Sequence, residues 1–168
     1  MGDDRPVGPS GHRLKGAASG YLASASEQPI DWYPWGPEPF ELARRIHRPI
    51  LLDIGAAWCH WCHVMDEGTY SDPGVAEILA REYVAVKVDR DERPEIDRRY
   101  QQEVGALTGE GGWPLTAFLD ANGAAFFGGT YFPPTDGHGR PGFRRVLTEI
   151  ARLFRDEGDR VRETTRQV

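Results

Sequence analysis

Both cysteines of this 168-residue chain lie in the short stretch AAWCHWCH, residues 56–63. Cys59 and Cys62 form a C-x-x-C pair, and two thiols at this spacing can exchange electrons with a disulfide. With His63 the same stretch also matches C-x-x-C-H, which is the attachment pattern of a c-type haem. A metal site is a third interpretation, in which His60 or His63 would bind the metal together with the two sulfurs, although this is a small set of ligands. An inert thiol pair kept for packing is the fourth, and the motif alone leaves all four open.

The rest of the chain favours redox exchange among these interpretations. Two cysteines cannot build a disulfide framework, and closing so short a loop would stabilise the fold by only about 2 kcal/mol. The opening residues, 1–16, lack the apolar stretch of a secretory signal, so we expect a cytoplasmic location. A C-x-x-C pair in a reducing compartment is typical of catalysis or of metal binding. Haem is normally attached to such sites after export, which disfavours the haem interpretation.

Composition disfavours two classes of partner. Acidic residues outnumber basic ones by 26 to 20, giving a net charge of −6, so we expect no nucleic-acid partner. No apolar run approaches the roughly 18 residues of a membrane-spanning helix, so we expect no membrane partner. The length and a hydrophobic fraction of 39% indicate one globular domain. We expect a flexible tail at 1–11, the domain at 12–156 and a charged helix end or tail at 157–168.

Apolar patterns predict a chain that alternates helices and strands. Residues 12–35 end in two tryptophans among prolines, so we expect an irregular segment there. Helices are predicted from about 37, 59, 73, 94 and 143, and strands at 50–54, at 83–88 and in a hairpin around 121–123. The first two strands should be parallel, and the last two should form an antiparallel hairpin. The predicted fold class is therefore α/β, with a central mixed sheet and helices on both faces.

The cysteine motif follows a predicted buried strand and begins a predicted helix. Unpaired backbone N–H groups and the positive end of the helix dipole would stabilise a Cys59 thiolate there. Cys62 would lie one turn deeper, where it could resolve a mixed disulfide. Asp53 lies in the apolar strand, and burial would raise the pKa of an unpaired carboxyl. Asp53 is then either a proton relay or a strand-end carboxylate that is hydrogen-bonded to backbone.

The segment ILLDIGAAWCHWC, residues 50–62, resembles the strand and motif of the thioredoxin superfamily. The shared features are an apolar strand, a carboxylate six residues before the first cysteine, a tryptophan just before it and the C-x-x-C pair. The resemblance implies a thioredoxin-like fold in which Asp53 helps to move the proton of Cys62. The segment GGWPLTAFLD resembles the family's cis-proline loop and following strand, which makes Pro114 the implied cis-proline.

A narrower resemblance covers about residues 12–150. The segments SGYL, QPIDWYPWG, WCHWCHVM, VKVDRDERPEID, LTGEGGWPLTAFL and GGTYFPP look like those of the N-terminal thioredoxin-like domain of the spermatogenesis-associated protein 20 / DUF255 family, in the same order. That family commonly has a Gln-His pair after the Tyr-Leu. This chain instead has Ala23-Ser24-Ala25, so a role for that histidine is absent here. In the family the domain usually precedes a larger helical-barrel region similar to sugar epimerases.

Sheet topology places further residues near Cys59. Ligands of open α/β sheets gather at the carboxyl ends of the parallel strands, and the hairpin begins and ends at the same edge. The residues predicted to line a substrate groove are Trp58, His60, Trp61, Trp113, Pro114, Tyr131 and Phe132. The residues that could tune the thiolate are His63, Asp89 and Arg90. An aromatic groove of this kind suits an extended peptide or an apolar thiol.

The favoured hypothesis is a thiol–disulfide oxidoreductase of thioredoxin type, in which Cys59 attacks a disulfide and Cys62 resolves it. Its substrate would be a protein disulfide or a small-thiol disulfide, and its electrons would come from a donor that the sequence does not identify. No bound cofactor or metal is expected. The alternative hypothesis is a non-catalytic binding or regulatory module that docks on a larger helical-barrel domain or partner through the aromatic groove.

Overall fold

A five-stranded mixed sheet forms the centre of the computed structural model, which describes residues 13–137 and 139–168. The predicted tail at 1–11 lies outside the described residues. The strands are β1 (Trp32–Tyr33), β2 (Ile50–Gly55), β3 (Val84–Asp89), β4 (Leu115–Leu119) and β5 (Ala125–Gly129). They lie side by side in the order β1-β3-β2-β4-β5. β3 is parallel to β1 and β2, whereas β2–β4 and β4–β5 are antiparallel pairs.

Helices cover both faces of this sheet. The α-helices are α1 (Gly20–Ser24), α2 (Pro37–Ile46), α3 (His60–Glu67), α4 (Pro73–Glu82), α5 (Pro94–Thr108), α6 (Phe143–Asp156) and α7 (Gly158–Arg166). Apolar residues of α1, α3, α4, α6 and α7 share one core with the sheet, and residues of α2 and α5 form a second core with the sheet. The predicted α/β class with a mixed sheet and helices on both faces is confirmed.

The central strand β2 is buried along its whole length. Since successive side chains of a strand point to opposite faces, Leu51 joins the core under α3 while Leu52 joins the core under α2. Asp53 has the same parity as Leu51, so it points into the core that contains α3. A strand that is covered by helices on both faces is expected to be a nearly continuous run of apolar residues.

The structure differs from the sequence-based expectation at both ends. Residues 12–35 were expected to be irregular, but within them 20–24 form α1 and Trp32–Tyr33 pair with β3 as a parallel edge strand. At the other end, a charged helix end or tail was expected at 157–168, but Gly158–Arg166 forms a separate helix, α7, which buries Val161 in the core. A strand as short as β1 has too few residues to show the alternation of apolar and polar residues that predicts a strand.

One edge of the sheet collects the segments that carry the candidate chemistry. β2 ends at Gly55 and leads through a short loop into α3, and β3 ends beside it at Asp89. β4 begins at this edge immediately after Pro114, and β5 returns to it at Gly129. The predicted convergence of these four segments is therefore present in the fold.

Candidate active site

Cys59 occupies the N-cap position of α3. Its backbone is extended, with φ −90° and ψ 114°, and its sulfur accepts a hydrogen bond from the Cys62 backbone N–H at 3.2 Å. A sulfur in this position receives one of the unpaired N–H groups of the first helical turn and lies at the positive end of the helix dipole. Both features place hydrogen-bond donors and partial positive charge around the sulfur that is the candidate nucleophile.

Cys62 lies one turn into α3, behind Cys59. Cys59 retains 7% of its surface exposed and Cys62 retains 1%, and both are free thiols. Burial raises the pKa of the Cys62 thiol, and the hydrogen bond to Cys59 and the nearby Asp53 carboxylate raise it further. Cys62 therefore holds its proton while Cys59 faces the solvent side of the pair.

A buried ion cluster lies beneath the cysteine pair. Asp53 and Lys87 are register partners on β2 and β3, and 2.8 Å separates Asp53 Oδ2 from Lys87 Nζ. The same Nζ lies 2.8 Å from Oδ1 of Asp66, near the carboxyl end of α3. The rings of Tyr21, Trp32 and Tyr70 surround the ammonium at 4.5–4.8 Å from their centroids. Cation–π contacts of this kind help to stabilise a charge that has lost its water.

The Asp53 carboxylate has two unequal oxygens. Oδ2 accepts hydrogen bonds from Lys87 and from the Tyr21 hydroxyl, whereas Oδ1 has no hydrogen-bond partner among the described residues. Burial raises the pKa of Asp53; the charge of Lys87 lowers it and that of Asp66 raises it. A carboxyl with a raised pKa and one unpaired oxygen is equipped to take up a proton.

Three members of this cluster were not singled out from the sequence. Lys87 carried the clearest signal, because it interrupts an apolar strand at a position that faces the same side as Asp53 in the adjacent strand. Asp66 follows Cys62 by four residues, which places both on one face of a helix. Tyr21 carried no such signal, since it reaches the site from a segment that was expected to be irregular.

The loop before β4 is held by α5. The Trp113–Pro114 peptide bond is cis, which confirms the assignment of Pro114 made from the sequence. Gln101 hydrogen-bonds both the N–H and the C=O of Gly112, at 3.0 and 2.9 Å. Asp97 Oδ1 accepts from the Trp113 indole N–H at 2.9 Å. This loop is therefore fixed to a helix and lies at the edge of the sheet next to α3.

Arg90 holds two of the predicted groove residues together. Its guanidinium lies 4.9 Å from the Trp113 ring centroid and 5.9 Å from that of Trp58, and the two indole rings meet edge to face at 5.8 Å. Asp97 and Asp91 bind the same guanidinium at 3.3 Å. Arg90 thus contacts two carboxylates and two indole rings, and these contacts hold Trp58 and Trp113 in place beside each other.

Asp89 was also proposed to tune the thiolate, and its contacts indicate an anchoring role. Its Oδ2 accepts from the Ser19 hydroxyl at 2.6 Å and its Oδ1 accepts from the Asp91 N–H at 2.8 Å. Ser19 in turn caps α1 by accepting the Leu22 N–H at 3.1 Å. Asp89 therefore ties the N-terminal segment to the end of β3.

The exposed rim near Cys59 is aromatic. Trp58 is 59% exposed and Trp61 is 53% exposed, which are large values for tryptophan. The Trp61 ring lies 5.1 Å from the Tyr131 ring, and a pocket of about 210 Å³ opens between them. This pocket is lined by Trp61, Trp113, Thr130, Tyr131 and Arg140.

The remaining predicted residues divide between surface and core. His60 is exposed and its ring meets Trp61 at 5.6 Å. His63 donates its Nε2–H to the Ala57 carbonyl at 2.5 Å, so it closes the loop before α3. Phe132 was placed in the groove from the sequence, but its ring stacks on Phe143 at 5.3 Å and is 8% exposed. Phe132 accordingly belongs to the apolar core.

Within residues 13–137 and 139–168, no three His, Cys, Asp or Glu side chains cluster so that they could hold a metal ion. In the same residues, no helix is both long enough and apolar enough to cross a bilayer.

Comparison with known proteins identifies relatives along nearly the whole chain. A family model described as "Protein of unknown function, DUF255" matches residues 11–168. Human spermatogenesis-associated protein 20 is 42% identical over 157 residues, which cover 94% of this chain and 20% of that protein. The disulfide bond reductase DsbH of Chlamydia pneumoniae is 30% identical over 98 residues, covering 56% of this chain and 58% of that protein. The chain thus spans about a fifth of the length of its human relative.

Solved structures with the same architecture include two that superpose over most of this chain. A DsbH oxidoreductase superposes with a TM-score of 0.52 at 20% identity, covering 93% of this chain and 95% of that chain. A putative disulphide-isomerase from Bacteroides thetaiotaomicron gives 0.53 at 19% identity, covering 77% of this chain and 95% of that chain. At these identities the likeness concerns the fold, which is thioredoxin-like.

Proposed function

Since the chain belongs to the DUF255 family, we propose that it is a thiol–disulfide oxidoreductase of thioredoxin type that acts on a disulfide in a protein or a small thiol. The observation that carries the proposal is the position of Cys59 at the N-cap of α3, with its sulfur 3.2 Å from the Cys62 N–H. The relative named as a disulfide bond reductase supports the same class of reaction.

The proposed first step is attack by the Cys59 thiolate on one sulfur of the substrate disulfide. A bond forms between Cys59 Sγ and that sulfur while the substrate S–S bond breaks. The displaced sulfur leaves with the bonding electron pair and takes a proton from solvent. The product is a mixed disulfide between Cys59 and the substrate.

The second step releases the substrate. The Cys62 thiol loses its proton, and its sulfur attacks Cys59 Sγ, so that the remaining substrate sulfur leaves as a thiolate. The chain then holds a Cys59–Cys62 disulfide and has passed two electrons to the substrate. A dithiol donor restores the reduced pair by the same exchange in reverse.

Asp53 is the proposed acceptor of the Cys62 proton. Its carboxylate contributes to the raised pKa of Cys62, and the unpaired Oδ1 has the capacity for one more hydrogen. The charge of Lys87 opposes the effect of burial on the pKa of Asp53 and so favours the ionised carboxylate. Proton transfer to a positioned carboxylate is general base catalysis.

The exposed aromatic rim supports an extended peptide as substrate. Trp61 and Tyr131 line a pocket at the sheet edge where α3 begins, and aromatic side chains are enriched where proteins bind one another. Backbone groups of the loop before Pro114 lie at the same edge and could pair with a peptide main chain. We propose a reducing compartment such as the cytoplasm as the place of action.

Mixed-disulfide trapping tests the proposal. Cys62→Ser removes the resolving sulfur, so incubation with insulin, whose disulfides are intact, should leave a covalent adduct on Cys59 that dithiothreitol releases. Cys59→Ser is the matched control and should form no adduct. Wild-type protein should accelerate insulin reduction by dithiothreitol, whereas both single variants should not. Absence of both adduct and acceleration would favour the docking-module alternative and overturn the proposal.

A further inference from the structure

The Tyr21 hydroxyl reaches the active site from outside the β2–α3 unit. It donates a hydrogen bond to Asp53 Oδ2, and Tyr21 is 1% exposed. Burial raises the pKa of Tyr21 well above its usual range, and the charge of Asp53 adds to the rise, so the hydroxyl keeps its hydrogen and acts as a donor. Tyr21 is thus a permanent partner of the carboxylate.

Tyr21 and Cys62 also crowd the same side of Gly55. A Cβ atom at this position would lie 2.9 Å from Cys62 Sγ and still closer to the Tyr21 hydroxyl. Only a residue without a Cβ lets both groups approach the backbone of β2 so closely. The hydroxyl, the sulfur and the carboxylate are therefore parts of one packed group.

The hydrogen bonds of Asp53 distinguish its two oxygens. A carboxylate oxygen accepts about two hydrogen bonds, and Oδ2 already receives those of Lys87 and Tyr21. A proton that arrives at Asp53 must then bind Oδ1, which has no partner among the described residues. Without Tyr21, Oδ2 would regain a free acceptor site, and the carboxylate could turn.

We propose that Tyr21 is a positioning residue of the resolving step: it occupies Asp53 Oδ2 and so directs the Cys62 proton to Oδ1. This inference rests on the proposed oxidoreductase function and adds to it a residue from the N-terminal segment. The proton moves from Cys62 Sγ to Asp53 Oδ1, the Cys62 electron pair forms the bond to Cys59 Sγ, and the substrate sulfur leaves with the electron pair of the broken bond. Tyr21 gives up no proton in the step.

The N-terminal segment is anchored in a way that fixes this hydroxyl. Ser19 caps α1 and donates to Asp89 Oδ2 at 2.6 Å, so α1 is tied to the end of β3. Tyr21 follows within the same helix, and its ring borders Lys87 at 4.6 Å. The segment therefore completes the proton-accepting site and also covers the sheet.

A two-step colour reaction separates attack from resolution. Dithiobis(nitrobenzoate) is an aromatic disulfide that releases one coloured thionitrobenzoate when Cys59 attacks and a second when Cys62 resolves the adduct. Because the chain has only two cysteines, the two releases can be assigned without ambiguity. Tyr21→Phe keeps the ring and removes the hydroxyl, so we expect normal first release and a second release slowed about tenfold at neutral pH.

The pH profile provides a readout that a purely structural role would not change. Loss of the hydrogen bond from Tyr21 raises the Asp53 pKa further, so the rise of the second rate with pH should move to higher pH in Tyr21→Phe. Tyr100→Phe is the matched control, because Tyr100 is equally buried but lies in the core on the other face of the sheet, where its hydroxyl donates to the Gly123 carbonyl at 2.7 Å. We expect the wild-type profile for Tyr100→Phe.

A double variant tests whether Tyr21 acts through Asp53. In an Asp53→Asn background, Tyr21→Phe should change the second release by less than about twofold, since coupled residues are non-additive. Independent, multiplicative slowing would overturn the inference, as would a wild-type rate and pH profile in Tyr21→Phe.

If Tyr21→Phe does not fold, Ser19→Ala provides a second test. It loosens the same helix and should slow the second release alone, and an unchanged second rate in Ser19→Ala also overturns the inference. Failure of wild-type protein to release either chromophore would count against the proposed function instead.

Discussion

Lys87 and Asp53 lie opposite each other on the two central parallel strands, with 2.8 Å between Nζ and Oδ2 and neither side chain exposed to solvent. Two charges at this depth are tolerated only when each has a partner, since isolated burial of either is strongly unfavourable. Asp66 adds a second carboxylate on the same ammonium at 2.8 Å. The Lys87–Asp53 pair therefore holds the Asp53 carboxyl beneath the cysteines, where it can exchange a proton.

Lys87→Met should destabilise the fold severely. The substitution keeps the length of the side chain but leaves two buried carboxylates without their cation, and breaking a buried pair in this way costs about 3–5 kcal/mol. Urea unfolding measures the loss. Arg81→Met is the control, because the Arg81–Glu77 pair is exposed, and it should cost less than about 1 kcal/mol. Equal stabilities for the two variants would contradict the importance given to the cluster.

Gly55→Ala should disturb both stability and resolution. The new methyl group would lie 2.9 Å from Cys62 Sγ, and overpacking of this kind typically costs about 1–3 kcal/mol. Since Tyr21 and Cys62 would both have to move, the second thionitrobenzoate release should slow as well. Gly20→Ala adds a methyl group where nothing lies within 4 Å and should change neither quantity appreciably. A Gly55→Ala variant with wild-type behaviour would show that the site is loosely packed.

The strands and helices that hold the cysteines were predictable from local sequence. The runs ILLDI and YVAVKV predicted β2 and β3, and a first-turn proline marked the starts of α2, α4 and α5. The placement of Cys59 at a helix start followed from the same patterns. These features could be predicted because each depends on residues that are neighbours in the chain.

The parts that could not be predicted depend on contacts between distant residues. Tyr21 and Asp53 are 32 positions apart, and their contact requires α1 to dock on β3. Phe132 was assigned to the groove from its place at the end of β5, but its stacking on Phe143 is decided by α6. An aromatic ring at a strand end carries no local signal that distinguishes a groove wall from a core.

The acid stability of the domain should depend on Asp72, the N-cap of α4. Its hydrogen bonds from Arg144, at 2.7 and 2.8 Å, lower the pKa of its carboxyl, and the bond from the Val75 N–H acts in the same direction. A lowered carboxyl pKa gives stability that is present above the unfolded-state value of about 3.9 and is lost as pH falls through the folded-state value. Asp72→Asn keeps the capping oxygen, so the variant should lose less stability than wild type between about pH 5 and pH 2.

Arg144→Met tests the same pair from the opposite side. Urea unfolding across this pH range should give a similarly reduced acid dependence, and the double variant should add little, because both substitutions remove one interaction. If wild type and Asp72→Asn lose stability in parallel as pH falls, the ion pair contributes nothing to acid sensitivity.

Trp61→Ala should separate peptide substrates from small ones. Trp61 is 53% exposed and packs only at the rim, so the fold should stay within about 0.5 kcal/mol of wild type. Loss of an aromatic contact should slow reduction of insulin about fivefold or more, while reaction with glutathione disulfide stays within about twofold. Ile46→Ala, at an exposed apolar position on α2, should leave both rates unchanged. Equal slowing of both substrates would argue against a peptide groove.

A redox titration of the intact chain tests the central claim most directly. The protein is equilibrated in dithiothreitol buffers of graded composition, quenched in acid, alkylated and weighed by mass spectrometry, so that the Cys59–Cys62 disulfide is counted against the dithiol. We expect one reversible transition whose midpoint is the same from either direction and whose steepness corresponds to two electrons, about 30 mV for each tenfold change in the thiol–disulfide ratio. Two thiols that stay reduced in every buffer, or that oxidise without returning, would contradict the account.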